Sequence, residues 1–369
     1  MSEYKVLTIN PGSTSTKIAI FEGTEKLFSQ NVSHDASELS KYSFISDQLP
    51  YREQTIRTLL HESGISLEGV SAVVGRGGGL LATSGGVYGL NDVLLDHAVR
   101  GANGVQHPAQ LGPQLAKIFA DEIGCPAFVV NPPDTDELQP VARMTGIKGV
   151  YRNVHLHALN LKETAIQHAR SMGRRYEDCN FVVCHIGGGI SVSAHLKGRM
   201  IDGNDIVGGE GPLAPTRCGA IPATELIDYC FSGVDKKTVK SLCTKTGGFV
   251  SLLGTSDSIE VEIRAAKGEK VAYLAWNTMI YQIIKEIGAM AAALHGEVDG
   301  ILLGGGMVYS RELVDKITEA CSFIAPVTAY PGEFEMEAMA AGAIRVLTGK
   351  EQVKTYTGKL CWDRADFED

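Results

Sequence analysis

Apolar and polar residues divide the chain into short strand-like runs joined by glycine turns, with helical spacing in the stretches between them. Tyr4 to Asn10 is a β-branched apolar run, a Gly-Ser-Thr turn follows, Thr16 to Phe21 resumes strand character, and Gly23-Thr24 opens a third strand. The device recurs further on. Asn180 to Ile186 is a continuous apolar strand, Gly187-Gly188-Gly189 makes the turn, Ile190 to His195 alternates, and Lys197-Gly198 leads into Arg199 to Ile201. One such meander in each half suggests a duplicated fold, although a meander is common on its own. Helical spacing predicts helices over Arg52 to Ser63, Leu111 to Ile123, His155 to Met172 and Val271 to His295. The last leads through Asp299-Gly300 into a buried strand, Ile301 to Leu303. Gly304-Gly305-Gly306 then precedes a helix with Ser310 as its N-cap, and strand, glycine loop, helix is a layout suited to phosphate or a nucleoside. A final helix, Glu335 to Leu347, stops at Gly349.

A length of 369 residues exceeds one comfortable core and predicts two lobes, while 44% hydrophobic and 21% charged residues exclude disorder for the bulk of the chain. The net charge is -9, and no basic cluster is denser than Gly173-Arg174-Arg175, so neither nucleic acid nor an anionic membrane surface is an expected partner. No apolar window reaches membrane-spanning length and the N-terminus does not read as a signal peptide, which predicts a cytoplasmic protein. The eight cysteines contain no C-x-x-C and are expected to be free, mostly buried thiols.

The glycine excess is clustered at 10–17, 75–79, 185–189 and 304–306. None of these is a P-loop, and the segment Gly209-Glu210-Gly211-Pro212-Leu213-Ala214 lacks the strand and helix a dinucleotide fingerprint needs. A hairpin turn of glycines and hydroxyl residues can converge backbone N–H groups on an anion, as Ser13, Ser15 and Lys17 offer, or it can simply be solvated. Arg76 among glycines and Arg217 in Pro215-Thr216-Arg217-Cys218-Gly219 suit bidentate contact with carboxylate or phosphate, the alternative again being a solvated loop. His155 and His157, with His107 in Gln106-His107-Pro108, lack partners at zinc-ligand spacing and fit a hydrogen-bonding role better than a metal site.

Thr8-Ile9-Asn10-Pro11-Gly12-Ser13-Thr14-Ser15-Thr16-Lys17 strongly resembles the first signature of the acetate and butyrate kinases, and Pro11 with Thr14 makes it look like the butyrate branch. Gly75-Arg76-Gly77-Gly78, Gln106-His107-Pro108, the segment 136–143, His157-Ala158-Leu159-Asn160, His185-Ile186-Gly187-Gly188-Gly189 and Tyr330-Pro331-Gly332-Glu333 follow in the family's order. The resemblance implies an α/β, duplicated ribonuclease-H-like (actin-like ATPase) fold with two lobes around a nucleotide cleft. One lobe is expected over residues 1–150 with a returning helix in 335–369, the other over 151–334. It implies ATP-dependent, reversible phosphorylation of butyrate or a branched short acid, with acetate or propionate kinase, or a non-catalytic ATP switch, as alternatives. ATP and magnesium are the implied cofactors and a homo-oligomer, dimer or higher, the implied assembly.

Carried onto this sequence, Asn10, Ser13, Ser15 and Lys17 would form one phosphate loop and His185, Gly187, Gly188 and Gly189 another, and Gly304, Gly305 and Gly306 would meet the adenosine. Arg76 and Arg217 would flank the carboxylate and the transferred phosphoryl group, His157 would stabilise that group in flight, His107 would lie beside the substrate, and Glu333 would hold magnesium. Two positions depart from the family pattern. Asn131 stands where an Asp is usual, leaving Asp134 or Asp136 to supply a charge, and Phe334 stands where a second acid follows Glu333.

Overall fold

The computed structural model describes residues 4–367. The chain forms two compact units, one made of the residues up to Asp136 together with Phe334–Phe367, the other of Glu137–Glu333. The change of unit falls earlier than residue 150 because the intervening segment is tied into the second unit. Glu137 pairs with Lys162 in the interior at 2.7 Å, and the Gln139 N–H donates to the Ile201 carbonyl.

In the first unit, β1 (Lys5–Pro11), β2 (Ser15–Glu22), β3 (Glu25–Ser33), β4 (Val70–Gly75), β5 (Val87–Gly89) and β6 (Ala127–Val130) form a sheet completed by a late strand, Lys354–Thr355. In the second, β7 (Asn180–Ile186), β8 (Ile190–Leu196), β9 (Arg199–Gly203), β10 (Gly300–Gly305) and β11 (Val327–Pro331) form a five-stranded sheet; the late strand of the first unit is β12. The first sheet runs β12-β5-β6-β4-β1-β2-β3 and the second β11-β10-β7-β8-β9. Five strands correspond in order and direction: β1 to β7, β2 to β8, β3 to β9, β4 to β10 and β6 to β11, with antiparallel hairpins on one side of β1 and β7 and parallel neighbours on the other. The two meanders are therefore equivalent pieces of one repeated sheet.

Each sheet is covered by helices whose apolar face is set by the sequence. Leu49–Glu62 buries Ile56, Leu59 and Leu60, and Leu111–Ile123 buries Leu111, Leu115 and Phe119, in one core with Leu7, Ile9, Ile18 and Ile20. Glu335–Leu347 lies on β1, β4 and β6 with Met336, Met339 and Ala343 buried. In the second unit the 24-residue helix Lys270–Ala293 buries Trp276, Ile280, Ile283 and Ile287 against β8, and Ala158–Ser171 buries Leu161, Ala165 and Ala169 against β7 and β10.

The helix predicted from His155 starts at Ala158, with His157 in the non-helical N-cap position. The spacing also passed over helices at Asp92–Arg100, Lys236–Thr244 and Ser258–Ala266, whose side-chain caps Asn91, Asp235 and Asp257 were the available signals. All eight cysteines are free, but only Cys179, Cys184 and Cys321 are buried. Among the described residues no helix is long and apolar enough to cross a membrane.

Candidate functional site

In the second unit, β7 and β8 are registered so that Ile186 faces Ile190 and His185 faces Ser191, which leaves Gly187, Gly188 and Gly189 as the turn. Gly187 N–H donates to the Gly189 carbonyl at 3.2 Å. A Cβ on Gly189 would lie 1.0 Å from Nη1 of Arg217, so the guanidinium occupies the volume that any other residue would fill. The Arg217 loop is fastened to the turn by its neighbour, because Thr216 Oγ1 donates to the Gly188 carbonyl at 2.9 Å. Nε and Nη1 of Arg217 are buried and have no hydrogen-bond partner among the described residues. Burial pulls this guanidinium below its ordinary pKa while Asp205 opposes the shift. A half-buried cation with two enclosed, unsatisfied donor nitrogens is costly unless an anion completes it.

Two histidines meet beside the same turn. The ring of His157, at the head of Ala158–Ser171, stacks on His185 with centroids 3.9 Å apart and planes 21° from parallel. Ser191 Oγ lies 2.8 Å from His157 Nδ1 and accepts the His157 backbone N–H at 3.2 Å. Glu333, exposed, places Oε1 3.8 Å from His185 Nε2. The third glycine segment joins this group through the sheet. Gly304 pairs with His185, and Gly305, at φ +99°, has no room for a Cβ, which would stand 2.4 Å from the Ile186 carbonyl oxygen. Gly305 and Gly332 exchange backbone hydrogen bonds of 3.0 and 3.1 Å. The structure thus brings His157, His185, Gly187–Gly189, Arg217, Gly304–Gly306 and Glu333 together within one unit.

In the first unit, Asn10 faces Lys17 across β1 and β2, and Gly12 N–H closes the turn on the Ser15 carbonyl at 2.7 Å. The turn is gripped from behind by Arg52, fully buried, which donates to the Ser15 carbonyl and to Thr16 Oγ1 at 2.8 and 2.9 Å. His34 contacts the same hydroxyl at 2.8 Å, and burial, then Arg52, lowers its pKa to about 4. Ser13 and Lys17 are exposed, and Lys17 makes no ion pair among the described residues.

Arg76 follows β4 and is buried. Gly75 and Gly112 let the helix Leu111–Ile123 cross against its backbone, since a Cβ on Gly112 would lie 2.0 Å from the Arg76 carbonyl oxygen. Its Nε lies 3.6 Å from Oε1 of Glu335, and Asn10 Nδ2 donates to Oε2 of the same carboxylate at 2.6 Å. Glu335 is not among the sequence candidates; it lies one position after Phe334, at the first turn of the closing helix, where the helix dipole favours a negative charge.

The other candidates of this unit, Asn131, Asp134 and Asp136, lie in the segment after β6. Asn131 adopts a left-handed backbone (φ 37°), accepts the Gly86 N–H on Oδ1 at 2.7 Å, and gives its carbonyl to Arg76 Nη1 at 3.4 Å. Asp134 accepts from Asn103 Nδ2 at 2.6 Å, and buried Asp136 is held through its backbone to Thr83. His107 is exposed and caps a short 3-10 turn, Nδ1 accepting the Ala109 N–H. Among the described residues there is no group of three or more His, Cys, Asp or Glu placed to hold a metal ion.

The acetokinase family profile matches residues 137–324, a stretch that lies within the second unit. Among solved structures, acetate kinase from Porphyromonas gingivalis is 19% identical and covers 93% of this chain and 100% of its own, with a TM-score of 0.75. Acetate kinase from Entamoeba histolytica is 18% identical over 92% of this chain and 98% of its own, TM-score 0.72. A propionate kinase from Francisella tularensis subsp. tularensis is 17% identical over 91% and 98%, TM-score 0.70. These likenesses agree with the strand correspondence in giving the duplicated actin-like ATPase fold, and the profile match across half of the sequence gives the narrower assignment: the chain belongs to the acetokinase family.

Proposed function

We propose that the protein transfers the terminal phosphoryl group of ATP to a short-chain carboxylate, butyrate or a branched acid, giving the acyl phosphate and ADP, reversibly. Family membership supports a carboxylate kinase, and the butyrate branch rests on the resemblance of residues 8–17. The observation that carries the reading is Arg217, a half-buried guanidinium whose Nε and Nη1 are enclosed without partners among the described residues, lying on Gly189 beside the stacked histidines.

A short carboxylic acid has a pKa near ~4 to 5 and is ionised at neutral pH, so no general base is needed to make the nucleophile. One carboxylate oxygen forms a bond to the terminal phosphorus as the bond from that phosphorus to the ADP oxygen breaks. The barrier to overcome is repulsion between two anions, and fixed positive charge with aligned donors lowers it. Arg217 and Arg76 supply that charge in this reading. His157 supplies a ring donor, the turns at Gly187–Gly189 and Gly12–Ser15 supply backbone N–H groups with Ser13, Ser15 and Lys17, and within Gly304–Gly306 the exposed Gly306 offers the nucleoside a backbone without a side chain. Magnesium, when bound with the nucleotide, neutralises phosphate charge. It commonly takes one or two carboxylates and otherwise water and phosphate oxygens, and Glu335 and Glu333 are the residues suited to hold it. Glu335 has the stronger claim because Asn10 and Arg76 orient its two oxygens.

The test is hydroxamate trapping of the acyl phosphate with acids of two to five carbons, ATP and magnesium. Hydroxamate strongest with butyrate or a branched acid supports the reading, hydroxamate confined to acetate or propionate moves the substrate to those acids, and none with any acid, from folded protein, overturns the carboxylate kinase assignment.

A further inference from the structure

Strand β8 carries Ser191 and Ser193 on one face of the sheet, both without solvent exposure, and each hydroxyl meets an imidazole at 2.8 Å. A hydroxyl has one hydrogen, and in a dry interior that hydrogen needs an acceptor. Ser193 gives its hydrogen to the Val183 carbonyl at 3.2 Å, so its oxygen receives the Nε2–H of His195, whose Nδ1 faces the Tyr176 hydroxyl at 2.7 Å.

Ser191 is arranged the other way. Its oxygen receives the His157 backbone N–H, and among the described residues its hydrogen has one acceptor, Nδ1 of the same histidine. The hydrogen therefore runs from Ser191 Oγ to Nδ1, and the ring proton of neutral His157 sits on Nε2. The opposite tautomer would aim Nδ1–H at the hydroxyl and strand the serine hydrogen in the interior. A proton on both nitrogens would do the same and would add charge to a ring stacked 3.9 Å from His185.

We propose that Ser191 is a positioning residue that fixes His157 as the Nε2–H tautomer, so that the ring nitrogen not facing the strand is a donor. The consequence rests on the carboxylate kinase reading: an Nε2–H stabilises a phosphoryl oxygen in flight, whereas a lone pair there would repel it. The tautomer itself does not rest on that reading.

The experiment is long-range proton–nitrogen NMR of the full chain with ring-15N histidine at neutral pH, the His157 signals being identified by their loss in His157→Gln. The expected pattern is a protonated Nε2 and an unprotonated Nδ1. Ser191→Ala should average the two nitrogens and lower kcat about tenfold with KM for ATP nearly unchanged, and Ser191→Thr, which keeps the hydroxyl, should restore both. An Nδ1–H or doubly protonated ring in the unsubstituted protein overturns the proposal, as does an unaltered pattern in folded Ser191→Ala. Should Ser191→Ala not fold, the unsubstituted spectrum decides alone. The expected spectrum in a protein that makes no acyl phosphate would keep the role of Ser191 and remove the carboxylate kinase reading.

Discussion

The two hairpin turns, Gly12 to Ser15 in the first unit and Gly187 to Gly189 in the second, occupy equivalent places in equivalent sheets and are built in opposite ways. The first is held from behind by buried polar groups, Arg52, Thr16 and His34, and leaves Ser13 and Lys17 exposed. The second carries glycine at each turn position and receives the guanidinium of Arg217 from a separate loop. The two turns close differently, Gly12 N–H on the Ser15 carbonyl and Gly187 N–H on the Gly189 carbonyl. What contacts each turn differs, Arg52 and His34 in the first and Arg217 in the second, so equivalent topology does not imply an equivalent role.

The contrast breaks most directly at Arg217. Arg217→Ala should lower kcat about a hundredfold, as removal of a fixed electrostatic donor does, with a melting temperature close to that of the parent. Turnover within twofold of the parent would show that the second turn works without its guanidinium. Gly189→Ala should cost about tenfold, because its methyl group must push the Arg217 fork aside. Gly12→Ala provides the matched control: its Cβ would meet nothing nearer than 3.4 Å, and turnover should stay within about twofold. Equal losses in the two glycine variants would mean that the turns are not as different as their packing.

Acid should probe the clamp of the first turn. The pKa of His34 is about 4 in the folded protein and near 6.5 when unfolded, so between those values the unfolded chain binds more protons and stability falls as pH falls. The clamp should contribute fully above pH ~6.5 and lose about 1 kcal/mol by pH ~5.5. Thermal melts of His34→Gln should show a shallower decline over that interval than the parent; parallel declines would remove His34 from the clamp.

Two carboxylate tests have the smallest expected effects. Glu335→Gln should raise the magnesium concentration for half-maximal rate about threefold, and more than Glu333→Gln does. The reverse order would return the metal to Glu333. Asn131→Asp should leave magnesium dependence within about twofold, since the left-handed backbone tolerates Asp and the side-chain oxygen still receives the Gly86 N–H. A marked tightening for magnesium would show instead that the missing charge matters.

Period, punctuation and caps along the chain determined much of this molecule. Both meanders, the helices Leu111–Ile123 and Glu335–Leu347, the Ser310 cap and the glycine segments are local features, because strand alternation, helical spacing and left-handed glycine positions act over a few residues. What only tertiary structure decided lies at long separation. Asn10 and Glu335 are 325 residues apart in sequence, and Thr216 must reach Gly188 for Arg217 to fill the space above Gly189. The closing helix turns Glu335 toward Asn10 and Arg76, and Asn131 accepts a backbone N–H that no spacing rule would connect to it. Such pairings depend on which surfaces the sheets present once packed, and a close approach that excludes a single methyl group has no periodic signature in the chain.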